Sequence, residues 1–252
     1  MAFSNFITRI NPKALNQWLT VLAIGAWGIL LLKYWVLEKL GLLIHPNYFG
    51  IVIMAGVFMA GLAIAQGLTL WKNPGGPKLQ HFSLIPPIWL TGILLGAALV
   101  GILGNPRPFT SQTALQRGLQ DASLTRRTQS FRTQTNPEKR SLLDWVTTLD
   151  AYPEPDAYTN QKVNVEGFVV HTDNLPDDYL TLTRFVITCC ATDVYPVGFP
   201  VKLEQSRTAY PEDQWFRIQG DMQTEILNDR RQLVIQAKTL ETIPEPKNPY
   251  DY

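Results

Sequence analysis

The only two cysteines of the chain stand side by side, Cys189 and Cys190, and Asp193 follows three residues later. Two thiols and a carboxylate within five residues are donors suited to zinc or another borderline-soft divalent ion, at roughly 2.0 to 2.3 Å. His171 or Asp178, in the neighbouring hairpin, completes such a site if the fold brings that hairpin close. The spacing is not of the finger type, and no second cysteine pair exists. Adjacent thiols also cannot close an unstrained disulfide, since consecutive Cα atoms sit about 3.8 Å apart and a disulfide spans roughly 4.4 to 6.8 Å. A structural role stands beside the metal role. In it, one cysteine lies in the domain core, the other lies against a helix over Leu142 to Leu149, and Asp193 binds turn amides or Arg184.

Side chains along a regular strand alternate between faces, so the two thiols share one pocket only where the strand ends or bulges. Ala191-Thr192-Asp193 reads as such an exit. Arg184 either pairs with Asp193 or holds an anionic ligand, Gly198 permits a bend, and Trp215 belongs to the core or rim of the fold. No Ser-His-Asp order, phosphate-binding glycine loop or HExxH occurs. The sequence therefore carries no enzyme signature, and zinc is the one cofactor its donors suggest.

Five strand-like runs must position these residues: Lys162 to His171, Tyr179 to Cys190, Tyr195 to Leu203, Trp215 to Thr224 and Arg231 to Thr242. Each is rich in Val, Ile, Phe, Tyr or Thr, and turn chemistry such as Asn228-Asp229 separates them. Gly167 inside the first run marks a bend. Five short strands in a region of this length fit an all-β OB-like five-stranded barrel better than a sandwich. The connection Glu204 to Gln214 contains Pro211 and has room for one turn of helix. Ser141 is placed to cap a short helix in front of the first strand. The domain spans 141–252, and its many carboxylates, with a net charge of only +1 for the whole chain, argue against a nucleic-acid partner.

The first 103 residues have a different composition, apolar and nearly free of acidic groups. Three transmembrane spans are expected, at about 15–35, 49–71 and 83–103, since roughly 20 apolar residues cross a bilayer. Trp18, Trp35, Trp71 and Trp89 fall near span ends, and Lys33 and Lys72 are placed to snorkel outward. No ionisable side chain sits at mid-span, so the helices offer no ion path of their own. Small residues recur at spacing four (Gly56 and Ala60, Gly61 and Ala65, Gly92 and Gly96, Ala97 and Gly101). They serve packing within the bundle or docking onto a separate membrane subunit. Residues 104–140 read as a polar linker with a short helix near Ala114 to Asp121. Its Arg126, Arg127, Arg132, Lys139 and Arg140 read as a solvated charged stretch, or as contacts to anionic lipid if this side is cytoplasmic. The expected localisation is multi-pass in a bacterial cell membrane, with the C-terminal domain on the non-cytoplasmic side.

RFVITCCATDVYPVGFPV, preceded by KVNVEGFV, followed by DQWFRIQGDM and closed by IPEPKNPYDY, resembles the YcgQ-type family of membrane proteins. The resemblance implies N-terminal spans and a C-terminal domain signed by R-F-x-I-x-C-C-x-x-D. It also implies a YcgR-type permease as partner and a link to zinc. Val194 stands where the family pattern usually has a small residue. The function expected is that of an accessory subunit of a permease, its OB-like domain gating, capping or sensing a ligand such as a divalent metal. Two alternatives are a stand-alone membrane-anchored protein that binds a small ligand or metal, and a thiol redox protein.

Overall fold

The computed structural model describes residues 12–73, 87–119 and 136–252. The chain divides into two compact units, Met1–Arg107 and Pro108–Tyr252. In the first, helix α1 covers Pro12–Val36, α2 Phe49–Lys72 and α3 Pro87–Leu103. Two helical stretches, Ala14–Val36 and Pro46–Lys72, are long and apolar enough to cross a membrane. The third apolar helix is shorter, and the expected start of its span, residues 83–86, lies outside the described residues. So do Arg126, Arg127 and Arg132 of the expected linker.

Helix α1 packs on both α2 and α3. At Gly28 an added Cβ would meet Ala60 N at 2.9 Å and Gly56 O at 3.0 Å, so the Gly56 and Ala60 face is used inside the unit. Gly61, Gly92 and Gly96 meet nothing within 4 Å among the described residues. Lys33 does not simply extend outward. Its Nζ donates to the Ile102 carbonyl at 2.5 Å, and the Tyr34 hydroxyl donates to Gly101 O at 2.7 Å. Two side chains of α1 thereby satisfy carbonyls in the last turn of α3, which the helix itself leaves without partners.

The second unit is built on a six-stranded mixed sheet. Strands β1 Lys162–Val170, β2 Tyr179–Val186, β3 Tyr195–Lys202, β4 Trp215–Leu227 and β5 Arg230–Thr242 correspond to the five expected runs. A sixth, β6 Tyr250–Asp251, lies in the C-terminal tail, where proline-rich sequence gave no strand signal. The order is β1-β4-β5-β3-β2-β6, and β1 also pairs with β2, so the first five strands pair in a circuit. All contacts in that circuit are antiparallel except the β3–β5 pair, which is parallel and short (Val201↔Ile235, Lys202↔Gln236).

Gly167 stands where β1 passes from β4 to β2. A Cβ there would lie 2.6 Å from the Thr183 carbonyl oxygen, so only glycine permits the approach. Asn228 and Asp229 join β4 to β5, both with positive φ (52° and 59°), as a tight hairpin turn requires.

Alternation along β1 buries Val163 and Val165, which meet Leu180, Leu182, Ile218 and Ile235 in the core. Helix α5, Leu142–Ala151, adds Leu142 and Trp145 to that core. (Helix α4 is Ser111–Gln116.) A capping box starts α5: the Asp144 amide donates to Ser141 Oγ at 3.1 Å, and the Ser141 amide donates to Asp144 Oδ2 at 3.0 Å. As expected, the β3–β4 connection holds only a turn of helix, Arg207–Ala209.

The described parts of the expected linker, residues 104–119 and 136–140, are not solvated throughout. Phe109 stacks on Tyr250 and packs on Phe185, the Ser111 amide donates to Asp213 Oδ1 at 2.5 Å, and Ala114 is fully buried. Arg140 is also buried rather than solvated, its guanidinium 4.6 Å from the Trp145 ring centre. Polar composition concealed this because one aromatic and a cation over an indole suffice to tie down a short segment.

Candidate functional site

Strand β2 ends at Val186, four residues before the end of the expected run. The next amide, Ile187 N–H, donates to Asp251 O at 3.1 Å, which joins the chain to β6. From Thr188 the backbone turns, and the turn is organised around one carboxylate. Asp193 Oδ2 accepts from Thr188 Oγ1 at 2.5 Å and from the Cys189 amide at 2.7 Å, while Oδ1 accepts from the Cys190 amide at 3.2 Å. The Asp193 amide closes the turn on Cys190 O at 3.0 Å. This is the local side-chain-to-backbone bonding that Asp and Thr favour outside regular structure.

Neither thiol lies in the core: Cys189 is exposed and Cys190 half-buried. Their sulfur atoms are 3.7 Å apart. One donor atom each of Cys189, Cys190 and Asp193 falls within 4.8 Å of the others. The turn thus does what a strand would forbid and aims adjacent side chains at one point.

The electrostatics divide the pair. Hydrogen bonding to the Asp193 carboxylate, followed by that to Cys190, pushes the Cys189 thiol up to about 12. The Cys190 thiol is lowered, first by the Thr192 hydroxyl (3.2 Å from its sulfur), then by the Thr192 amide and Cys189. Burial acts to raise Asp193, but hydrogen bonds from Cys189 and Thr188 and the two amides outweigh it and hold the carboxyl at about 2. At neutral pH the turn presents an ionised carboxylate, one acidified thiol and one thiol whose proton is held by that carboxylate.

Residues 122–252, just over half of the chain, match the DUF1980 C-terminal domain. The chain belongs to the DUF1980 C-terminal domain family. That family is uncharacterised in activity. Comparison with curated proteins finds no match, and comparison with solved structures finds none either.

Within this DUF1980 domain the remaining expected site residues are dispersed. His171 does not join the cysteines; its Nε2–H donates to the Tyr210 carbonyl at 2.9 Å, and its amide donates to Glu212. Asp178 gives its carbonyl to the Leu203 amide at 2.9 Å. Arg184 does not pair with Asp193. It meets Asp251 at 3.2 Å, donates to Asn248 O and lies over the Trp215 ring. Trp215 belongs to a buried aromatic group with Phe168 and Phe185, and Phe216 belongs to the main core. Gly198 pairs with Thr183 in the β2–β3 ladder.

Sequence reasoning missed Thr188 and Thr192. Their signal was present, because hydroxyl residues flanking a cysteine pair beside an Asp are the residues that bond locally in turns.

Proposed function

We propose that this chain is a membrane-anchored, metal-binding accessory subunit of a permease, with zinc as the ion. The observation that carries the metal reading is the 3.7 Å separation of the Cys189 and Cys190 sulfurs beside Asp193. Two thiolates bound to tetrahedral zinc at about 2.3 Å lie roughly 3.8 Å apart, so the turn already has the required bite. Cys189, Cys190 and Asp193 would hold the ion, which would act as cargo or signal. The Cys189 proton would leave to solvent on metal binding, Cys189 being exposed, while the Asp193 carboxylate stays ionised as a ligand. His171 is not part of this set.

The accessory role rests on the YcgQ-type resemblance and on two long apolar helices without an ionisable residue at mid-span. The pairing circuit of five strands with one short parallel contact supports an OB-like barrel as the ligand-presenting domain. A third span over α3, and the outward side for the β domain, complete the proposal.

Metal analysis of the full chain, purified reduced in lipid nanodiscs, tests it. One zinc per chain is expected in the wild type, and none in Cys189→Ser or Cys190→Ser. Zinc retained in the double serine variant, or absent from the zinc-loaded wild type, overturns the metal reading. Isolation from native membranes tests the partnership: a polytopic permease should accompany the chain, and recovery of the chain alone overturns the accessory role. Membrane-impermeant maleimide should reach Cys190 only from the non-cytoplasmic side.

A further inference from the structure

The β unit contains a cavity of about 630 Å³ that shares no residue with the cysteine turn. It lies where β3 and β5 diverge: the two strands pair only at Val201↔Ile235 and Lys202↔Gln236, so the residues before these pairs leave a gap. Val146 and Leu149 of α5 line it together with Phe199 and Leu233 from the diverging strands. The volume is within the usual range for small organic ligands, roughly 300 to 1,000 Å³.

Most polar groups in the wall are already committed. The hydroxyls of Thr172 and Thr181 bond each other at 3.2 Å, and Arg207 holds the Thr172 carbonyl at 2.8 Å. Asn228 Nδ2 donates to Asn174 O at 2.9 Å, and Gln232 Nε2 donates to Leu227 O at 3.0 Å. These bonds fix the walls before any ligand arrives, which lowers the ordering cost of binding. Of the charged side chains in the wall, Arg231 is taken by Glu154 at 2.8 Å and Asp156 at 2.5 Å, and Asp150 has interactions of its own within the chain. Arg230 is different: it is exposed, lines the cavity, and has no carboxylate partner among the described residues.

A wall of apolar side chains and already bonded polar groups, with one guanidinium that has no carboxylate partner among the described residues, suits a ligand with an apolar body and one negative charge. A planar carboxylate suits the fork of a single arginine. A phosphate dianion suits the site poorly, because Asp150, Glu154 and Asp156 are close by and only one cation is available. We propose that this cavity binds a medium-chain aliphatic carboxylate, its head group on Arg230 and its chain between Val146, Leu149, Phe199 and Leu233.

The test is photolabelling of the full chain in lipid nanodiscs with a diazirine-bearing decanoate, the label sites being mapped by mass spectrometry. Labelling is expected on peptides carrying Leu149, Phe199 or Leu233, competed by unlabelled decanoate and about tenfold less well by decanol, a difference equivalent to one modest ion pair. Arg230→Gln should reduce this labelling about tenfold and abolish the preference for decanoate over decanol. Leu149→Trp should fill the cavity and remove the labelling. Label on α1 and α2 reports partition into lipid and should be the same in all variants. Equal competition by decanol in the wild type, uncompeted labelling, or unchanged labelling in Arg230→Gln would each overturn the proposal. Arg230 is exposed and outside the core, so that variant decides the matter even if Leu149→Trp does not fold.

Discussion

Arg184 Nε and Asp251 Oδ1 lie 3.2 Å apart, and each side chain is only 14% exposed. The pair ties the two-residue strand β6 to β2, four residues before the backbone turns at Thr188. Removing one partner of a buried pair leaves an uncompensated charge and costs about 3 to 5 kcal/mol. Asp251→Ala should therefore destabilise the β unit by several kcal/mol, read as a shift in the denaturant midpoint. A loss below about 1 kcal/mol, the range of surface pairs, would contradict the arrangement.

The acid dependence of stability should carry two opposed signatures. Asp193 is held at about 2, below its ordinary 3.8, so its contribution is present above pH 3.8 and is lost as pH falls toward 2. Asp251 is raised from 3.8, by burial first and against the pull of Arg184. The native state then binds its proton more tightly than the unfolded chain, and this contribution is complete below pH 3.8 and fades as pH rises through the raised value. The stability difference between wild type and Asp193→Asn should shrink from pH 4 to pH 2. The difference for Asp251→Asn should change in the opposite sense.

The two thiols should alkylate at different rates. Thiolate is the nucleophile, so the acidified Cys190 should react with iodoacetamide at pH 7 at least about tenfold faster than Cys189. Asp193→Asn removes the charge that holds the Cys189 proton and should narrow the gap. Equal rates by mass spectrometry in the wild type would show that the Asp193 carboxylate does not govern Cys189.

Gly167→Ala places a methyl group against the Thr183 carbonyl, 2.6 Å from its oxygen. The crossing of β1 from β4 to β2 then has to open, at about 1 to 3 kcal/mol, the range for overpacking. A thermal midpoint within error of wild type would mean that the strands can separate there without cost.

Much of this molecule is readable from local pattern. Runs of Leu, Ile and Ala long enough to cross a bilayer, the Ser141-x-x-Asp144 capping box, and period-two strands with Asn228-Asp229 between the last pair are set by neighbours in sequence. These depend on side-chain entropy, hydrogen bonding and burial over a few residues, so their type and approximate bounds are visible without a fold. The donor set Cys189, Cys190 and Asp193 was legible for the same reason, since all three lie within one turn.

The tertiary structure decided what depends on distant partners. It gave Arg184 to Asp251 rather than to Asp193, because a buried guanidinium pairs with the carboxylate that burial brings to it. It held the chain on β6 as far as the Ile187 amide and released it there into the turn around Asp193, and so placed both thiols in a turn instead of a strand and a core. It took His171 to Tyr210. It also opened the gap between β3 and β5, which no periodicity could announce, since a cavity is set by where strands stop pairing. The sequence determined which residues could do chemistry; long-range packing decided which of them meet.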